Sequence, residues 1–582
     1  MTTVPTAPGG WWHDYVCPTH HVELSGSAPG GHGCPRGCVV AGEKYDAALR
    51  TLDHQRCARE VRRLARTGDA ADRRRAVAVL GEIAKVYGDV VGPGWNDAAE
   101  SWMLRGRMFA QALTEAQWAV QVADAVLVLG PEAHVAGVDD LLEGLLATFE
   151  QAYGVLVDER QDERNNYTAW LCAAGALVSR ALDAPHEVVA TWHTRALAHL
   201  EIAVGDDGWE WEGSTYYHVF VLRAYLLTFR DAVPADLPRP AVERLAAMVR
   251  VLAEVAAPDG TLPAIHDGPY DRVPMHHEVL EIAAMARGLL APAGLEAVAT
   301  AARARLGRAD DGLDRLLDGW FCGPPVQVPA PTRGSVYFPQ VGYAVLRDDA
   351  DTWQAVVDAG PHGGSHGHHD KLALYLYGTA PWQPAPGVPP YASALRRGHY
   401  ARTLAHPTLR VDGRDQDETT GRVERWAPEV GLVVTSAEPH PGVRVRRATR
   451  LTDGVLTDVV TVEADEPHEL VLALRPAVDL TVRHVPDGAR TTWTADDGAS
   501  LHGTHVASPG AALAVVPGRG PSDDPAAVRP VADWTATGDR AVFASLFQQG
   551  PDPAPARIDL APDGATFHLT TPDGEKTIEG AP

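Results

Sequence analysis

Four histidines and an aspartate crowd into one glycine-rich stretch, DAGPHGGSHGHHDKLALYLYG at 358–378. His362, His366, His368 and His369 precede Asp370 at the head of a strand-like run, behind glycines that let the backbone approach a ligand closely. If 366–370 is extended, His366, His368 and Asp370 share one face and His369 takes the other. Imidazoles at this density serve metal binding, proton transfer or both. A second cluster lies near the start, where Cys17-Pro-Thr-His20 is followed by Cys34-Pro-Arg-Gly-Cys38. That spacing is close to a structural zinc knuckle with three thiolates and one imidazole. Four protein ligands make a closed site, expected to work independently of any catalytic cleft. Six cysteines in 582 residues are too few for a disulfide scaffold, and Cys57, Cys172 and Cys322 stand alone in apolar surroundings as small core residues.

Two kinds of element must position these residues. From about 45 to 310, apolar residues recur every three and four positions, in the stretches 46–66, 74–90, 108–129, 168–183, 187–204, 216–230, 240–256 and 276–290. This predicts at least eight successive helices with no strand between them. Short Gly, Pro and Asp turns, such as GDDGW at 205–209, favour antiparallel neighbours and hence a solenoid, toroid or bundle of paired helices. The lack of a fixed repeat period counts against a regular solenoid. After GPPVQVPAPTRG at 323–334 the texture changes to alternating β-branched segments with TDG and PDG turns, as in a large antiparallel β-sandwich. The fold expected is α+β and multidomain: a Cys/His segment at 1–44, a helical domain at 45–322 and an antiparallel β-sandwich at 335–582.

Acidic residues outnumber basic ones 76 to 51, a net charge of -25. That is the wrong sign for gripping nucleic acid, and an anionic substrate must meet a local basic patch. The opening MTTVPTAPGGWWHDY has neither a basic nor an apolar leader region, and nowhere do 18 apolar residues run together. The expectation is a cytoplasmic chain with no membrane association.

The run HGHHDKLAL, preceded by FPQVGYAVLRDD at 338–349 and followed by PGVPPY at 386–391 and RRGHYARTLAHPTLRVDG at 396–413, resembles the C-terminal domain of the heparinase II/III family of polysaccharide lyases. RNNY at 164–167, DGWEWEGSTYYH at 207–218 and PDGTLPAIHDG at 258–268 fit the same family in the same order. The resemblance implies an N-terminal (α/α) toroid followed by a C-terminal antiparallel β-sandwich. It also implies β-elimination on an acidic oligosaccharide or polysaccharide; the expected cytoplasmic location favours short, imported oligosaccharides and hence exo-acting cleavage, and an oligomer is possible. The proton at C5 of a uronate is removed and the C4–O bond breaks, so the site must neutralise the carboxylate and supply a base and an acid.

Carried over by position, Asn166 matches the carboxylate-binding Asn, and Tyr167 stands where a His is usual, which pushes proton transfer toward tyrosine. Tyr217 matches the catalytic tyrosine, with Tyr216 its one-residue alternative and His218 beside them. His366 matches the histidine that faces the cleft, and Tyr391 the tyrosine after the PG turn. Tyr167, Tyr216, Glu212, Arg396 and Arg402 are candidate substrate contacts, with Arg397 adding positive charge. His368 and His406 match metal ligands, while the aspartate of the family's set falls at Ala385, leaving Asp370, His369, Gln383 or water to complete a zinc site. Two other readings stay open: an inverting glycoside hydrolase using Glu212 and Asp267 about a water, and a glycan-binding relative without turnover.

Overall fold

The computed structural model describes residues 3–230, 232, 234–268, 273–290, 294–306, 333–486, 488–551, 557–560, 566–571 and 574–579. Cys322 and most of the 323–334 stretch lie outside the described residues.

Ten helices follow the N-terminal segment among the described residues: α1 (Glu43–Arg66), α2 (Ala70–Val90), α3 (Ala112–Leu129), α4 (Val138–Tyr153), α5 (Asn166–Ala181), α6 (His186–Ala203), α7 (Thr215–Thr228), α8 (Arg239–Val255), α9 (Val273–Leu290) and α10 (Leu295–Leu306). Helices α4 and α10 are absent from the stretches picked out by periodicity, although α4 buries Val138, Leu141, Leu142, Leu145 and Phe149 at helical spacing. The odd-numbered helices pack on one another in succession and the even-numbered ones lie outside them. The residue pattern sets this layering: α3, α5 and α7 are buried almost all round, as inner helices must be, whereas α2 buries mainly Ala76, Leu80, Ile83, Ala84 and Tyr87. Asn165 caps α5 by accepting from the Tyr167 N–H, and Ser214 caps α7 by accepting from the Tyr217 N–H. Asn166 and Tyr217 are thereby fixed in the first turns of two inner helices, at their electropositive ends.

Three short strands precede the helices: β1 (Ser27–Ala28), β2 (Gly31–Gly33) and β3 (Val39–Val40). After the helices, β4 (Val336–Phe338), β5 (Tyr343–Arg347), β6 (Gln354–Asp358) and β7 (Leu374–Tyr377) form an antiparallel four-stranded sheet. A ten-stranded antiparallel sheet packs against it. Its central strands Val455–Leu474 and Val528–Gln549 pair along two successive halves, with the register shifting between Glu463 and His468. Strands β5, β6 and β7 are buried on both faces, so they read as continuous apolar runs and not as an alternation. Ala344, Leu346, Ala355 and Leu374 face the large sheet, while Tyr343, Val345, Val356 and Tyr375 pack with Trp209, Val251, Val255 and Ile265 of the helical domain. The small sheet is therefore the wall shared by the two domains.

Buried charges lock the inner helices. Asp124 of α3 takes Arg62 and Arg66 of α1 and Arg230, and Glu281 of α9 takes Arg62 and, at 2.6 Å, Arg223 of α7. Burial alone would raise the Glu281 carboxyl, but the Arg223 and Arg62 guanidiniums outweigh it and hold it at about 2. Because the folded value lies below the unfolded one of about 4.3, this stabilisation is complete above about pH 4.3 and lost as pH falls toward 2. Its size is on the order of 3 kcal/mol. Urea denaturation between pH 5 and 2 should show a steeper loss in the wild type than in Glu281→Gln, which keeps the shape and loses the titration.

Candidate active site

The loop after α8, PDGTLPAIHDG, carries Asp267 into the seam between the domains, where it is buried. A carboxylate only accepts hydrogen bonds, which fixes the protons around it. His366 Nδ1–H donates to Asp267 Oδ2 at 2.8 Å, His368 Nε2–H to Oδ1 at 3.2 Å and Tyr391 O–H to Oδ2 at 3.0 Å, and Arg396 adds an ion pair. Burial opposes the charge on Asp267, but the bonds from His366 and His368 and the Arg396 guanidinium outweigh it and hold the carboxyl well below its usual range. Four sandwich side chains thus converge on one helical-domain residue. His366, tied through Nδ1, keeps its lone pair on Nε2, which lies 3.5 Å from Glu212.

Tyr217 and Tyr391 hydroxyls are 2.6 Å apart. Since the Tyr391 proton is given to Asp267, Tyr217 donates to the Tyr391 oxygen. The Tyr217 ring stacks on the His366 ring at 3.7 Å, and the Arg396 guanidinium lies 3.9 Å from the centre of the Tyr391 ring. Burial, reinforced by the Asp267 charge, raises both phenols well above the ordinary tyrosine range, so both are neutral. Beside them Asn166 Nδ2–H donates to Glu212 at 3.2 Å. Burial also raises Glu212, which favours its protonated form, while Asn166 Oδ1 and Arg396 Nε are buried with no hydrogen-bond partner among the described residues. Gly363 makes this convergence possible: its φ is +86°, and a Cβ there would sit 2.4 Å from the Glu212 carbonyl oxygen.

The structure brings Asn166, Glu212, Tyr217, His366, Tyr391 and Arg396 together, with Tyr216 and His368 at their edge, and places His218, Tyr167 and Arg402 elsewhere. His218 is not in the cleft. It is buried in the helical layer, its Nδ1 accepting from the Glu210 N–H at 3.3 Å and its Nε2 donating to the Met248 carbonyl at 2.9 Å, because the next residue along a helix points about 100° away from Tyr217. Tyr167 accepts from Gln111 at 3.1 Å, and Tyr216 stacks on Phe220 beside Tyr217. Arg402 pairs with Asp415 at 3.0 Å and lines a separate polar cavity of about 370 Å³ with His362, His369 and Arg397. Nor is 366–370 one extended strand, since Gly364–His366 is a turn of 3₁₀ helix. The sequence presents Asp267 only as one carboxylate of a hydrolase pair; in the structure it holds four donors, three of them on Oδ2, and is committed to the seam.

Two residue groups suit a metal. His368 gives its only proton to Asp267, leaving Nδ1 bare and 3.2 Å from His406 Nε2, which is 2.9 Å from the Tyr400 carbonyl. Tyr375 O–H donates to Asp370 at 2.8 Å, and its oxygen lies 3.0 Å from His406 Nδ1. If His406 donates there, two bare imidazole nitrogens and a carbonyl oxygen face one space, a donor set that fits a divalent cation. Burial keeps both rings neutral, lowering His368 and taking His406 down to about 3. Ala385 offers nothing to it beyond a backbone N–H donated to Tyr377. By contrast His266, Asp358 and Asp370 surround the Lys371 ammonium, 2.6 Å from Asp358 and 3.2 Å from Asp370, so that position already holds a cation of the chain's own.

At the N-terminus, Cys17, Cys34 and Cys38 sulfurs lie 3.6, 3.4 and 3.5 Å from His20 Nδ1, and Cys17 and Cys38 sulfurs are 3.3 Å apart. Four such ligands around one zinc stand roughly 3.5 to 3.8 Å apart. Backbone N–H groups of His20 and Arg36 point at the Cys17 and Cys34 sulfurs at 3.4 Å, which favours thiolates.

Replacing Asp267 by Ala strands a buried guanidinium and two imidazoles; we expect the unfolding free energy of Asp267→Ala to fall by about 3 to 5 kcal/mol, measured by denaturant titration.

Residues 330–540 match the family model of the heparinase II/III-like C-terminal domain. No match was found among curated protein sequences. The fold is similar to heparinase III at a TM-score of 0.66 and 14% identity, covering 95% of this chain and 86% of that one. It is similar to heparan sulfate lyase HepC from Pedobacter heparinus at 0.61 and 16%, covering 96% and 87%. A Paenibacillus xanthan lyase aligns at 0.52 and 11%, over 97% of this chain and 59% of that one. The helical domain is thus the toroid and the sheets the sandwich of this shared architecture, and residues 330–540 are similar to the heparinase II/III-like C-terminal domain.

Proposed function

We propose that the protein is a polysaccharide lyase that cleaves uronate-containing glycans by β-elimination, releasing short products from chain ends. The observation that carries this reading is the pairing of a neutral phenol with a histidine of fixed tautomer on stacked rings, 3.7 Å apart. His366 Nε2, bare because Asp267 holds the Nδ1 proton, takes the C5 proton. Tyr217, kept neutral by burial, delivers a proton to O4 as the C4–O bond breaks, and Tyr391 relays the hydrogen bond to Asp267. Asn166 and the Arg396 Nε–H supply donors for the uronate carboxylate, whose negative charge grows in the enolate-like transition state, while burial shifts Glu212 away from its charged form beside them. Against an inverting hydrolase, Asp267 is engaged by four donors and Glu212 lies 3.5 Å from His366.

A panel of alginate, glucuronan, hyaluronan, chondroitin and heparan sulfate followed by ultraviolet absorbance tests the reaction, since elimination leaves a conjugated enoate and hydrolysis does not. Tyr217→Phe and His366→Ala should each lower kcat by about 10² to 10⁴. Asn166→Ala should cost about 2 to 4 kcal/mol of transition-state stabilisation while melting temperature stays nearly unchanged. Loss of stability without loss of turnover per folded molecule would make these residues packing groups only.

The knuckle geometry supports a zinc ion held by Cys17, His20, Cys34 and Cys38, a closed site that supplies structure and no open coordination position. The His368 and His406 pair supports a weaker ion, since its carboxylate partner is replaced by Ala385 and one proton must move to expose both nitrogens. Elemental analysis should find close to one tightly held zinc per chain, lost in Cys34→Ser/Cys38→Ser and retained in His368→Ala. Zinc that disappears with His368→Ala would assign it to the sandwich instead.

A further inference from the structure

The Cys/His segment does not stand apart from the cleft, contrary to what its closed ligand set led us to expect. On its helical side the Gly9 and Gly10 N–H groups donate to the Met108 and Ala47 carbonyls at 3.0 and 2.9 Å, and Thr51 Oγ1 donates to the Gly10 carbonyl at 2.9 Å. The approach is so close that a Cβ on Gly9 would sit 2.2 Å from Thr51 Oγ1 and 2.7 Å from the Phe109 ring. On its sandwich side His21 Nδ1 lies 3.0 Å from Ser393 Oγ, two residues beyond Tyr391, and Arg36 pairs with Asp524. The segment thus spans both domains across the seam that Asp267 occupies.

Between these anchors the chain lays two rings against the site. Trp12 and His13 stack at 3.6 Å, and the His13 ring centre is 4.8 Å from that of Tyr391. Behind them Trp11 packs edge-on against Trp102 at 5.5 Å. Trp12, His13, Tyr216, Met275, Tyr391 and Asp267 border a cavity of only about 30 Å³, room for roughly one or two waters and not for another sugar ring. The knuckle begins four residues after His13, at Cys17, so whatever holds Cys17 limits how far these rings can move.

We propose that residues 9–21, stapled by a metal at Cys17, His20, Cys34 and Cys38, close one end of the cleft, and that Trp12 and His13 are the specificity-determining residues that admit only a chain end. The inference rests on the lyase reading for its substrate, and on the packing of this segment for its mechanism. A glycan bound across Tyr217 and His366 runs into the Trp12–His13 stack, so it is cut one short unit at a time. Loosening the stack opens the cleft to internal stretches of the polymer.

Two measurements test it on the full chain, with the polymer of the panel that gives the strongest enoate signal. Product sizing early in the digest should show small unsaturated products beside nearly full-length polymer for the wild type. Trp12→Ala/His13→Ala, which leaves the knuckle intact, should instead give mid-sized fragments and a severalfold faster fall in viscosity per bond cleaved. Hydrogen exchange should show that stripping zinc with a chelator, or Cys34→Ser/Cys38→Ser, deprotects residues 9–21 and also 388–400. End-wise products from the double variant, or internal cleavage by the wild type, would overturn the proposal. So would deprotection confined to the knuckle. A wild type that yields no enoate from any polymer refutes the lyase reading instead, and the exchange pattern then still decides whether the segment is stapled across the cleft.

Discussion

The Asp267 carboxylate is the interaction on which the rest of the molecule turns. It belongs to a loop of the toroid, yet its bonds come from His366, His368, Tyr391 and Arg396 of the sandwich. An ionised carboxyl taken out of water costs several kcal/mol, and only near-complete satisfaction of its lone pairs offsets that. The two domains must therefore reach their final positions before Asp267 is stable as an anion, and the same event sets the proton positions on His366 and Tyr391. Assembly of the seam and preparation of the chemistry are one step.

Around this centre the seam tolerates little slack. Gly363 lets the histidine loop come within contact of the Glu212 backbone, and a side chain there would force the loop outward and carry His366 with it. Behind the loop, Lys371, one of four lysines in the sequence, is buried between Asp358 and Asp370, with His266 donating to Asp358 at 3.1 Å. Burial disfavours charge on His266, but Asp370 and Asp358 outweigh it and raise the ring to about 9. This buried group ties the strand that ends in Asp358 to the start of the strand after Lys371, and so braces both ends of the histidine loop.

Much of this was legible in the sequence because it is written in local spacing. Helical periodicity marks one face at a time, so α1 and α2 stand out. Helix α4 carries the same spacing behind Asp139 and Asp140 in its first turn, and lies outside the expected stretches. The histidine cluster announced a site through its density. What the sequence did not contain locally was Asp267, because an aspartate flanked by histidine and glycine looks like any solvated turn until its partners, about 100 residues on, are brought to it. His218 failed for the opposite reason: adjacency to Tyr217 in the chain is separation on a helix, and the inner layer gave it backbone partners. The knuckle ligands were legible from their spacing, whereas the contact of Trp12 and His13 with Tyr391 is a property of the assembled seam alone.

The charges of the site are balanced before any substrate arrives. Asp267, Asp358 and Asp370 are matched by Arg396, Lys371 and His266, so no ammonium or guanidinium in this group is left over to neutralise a uronate. A further ionised carboxylate at Glu212 would leave the incoming one facing uncompensated repulsion. Burial instead raises the Glu212 carboxyl from its ordinary range, which weakens that repulsion beside Asn166. In the proposed elimination the uronate is then met by the Asn166 amide and the Arg396 Nε–H, hydrogen-bond donors whose bonds strengthen as its charge grows along the reaction.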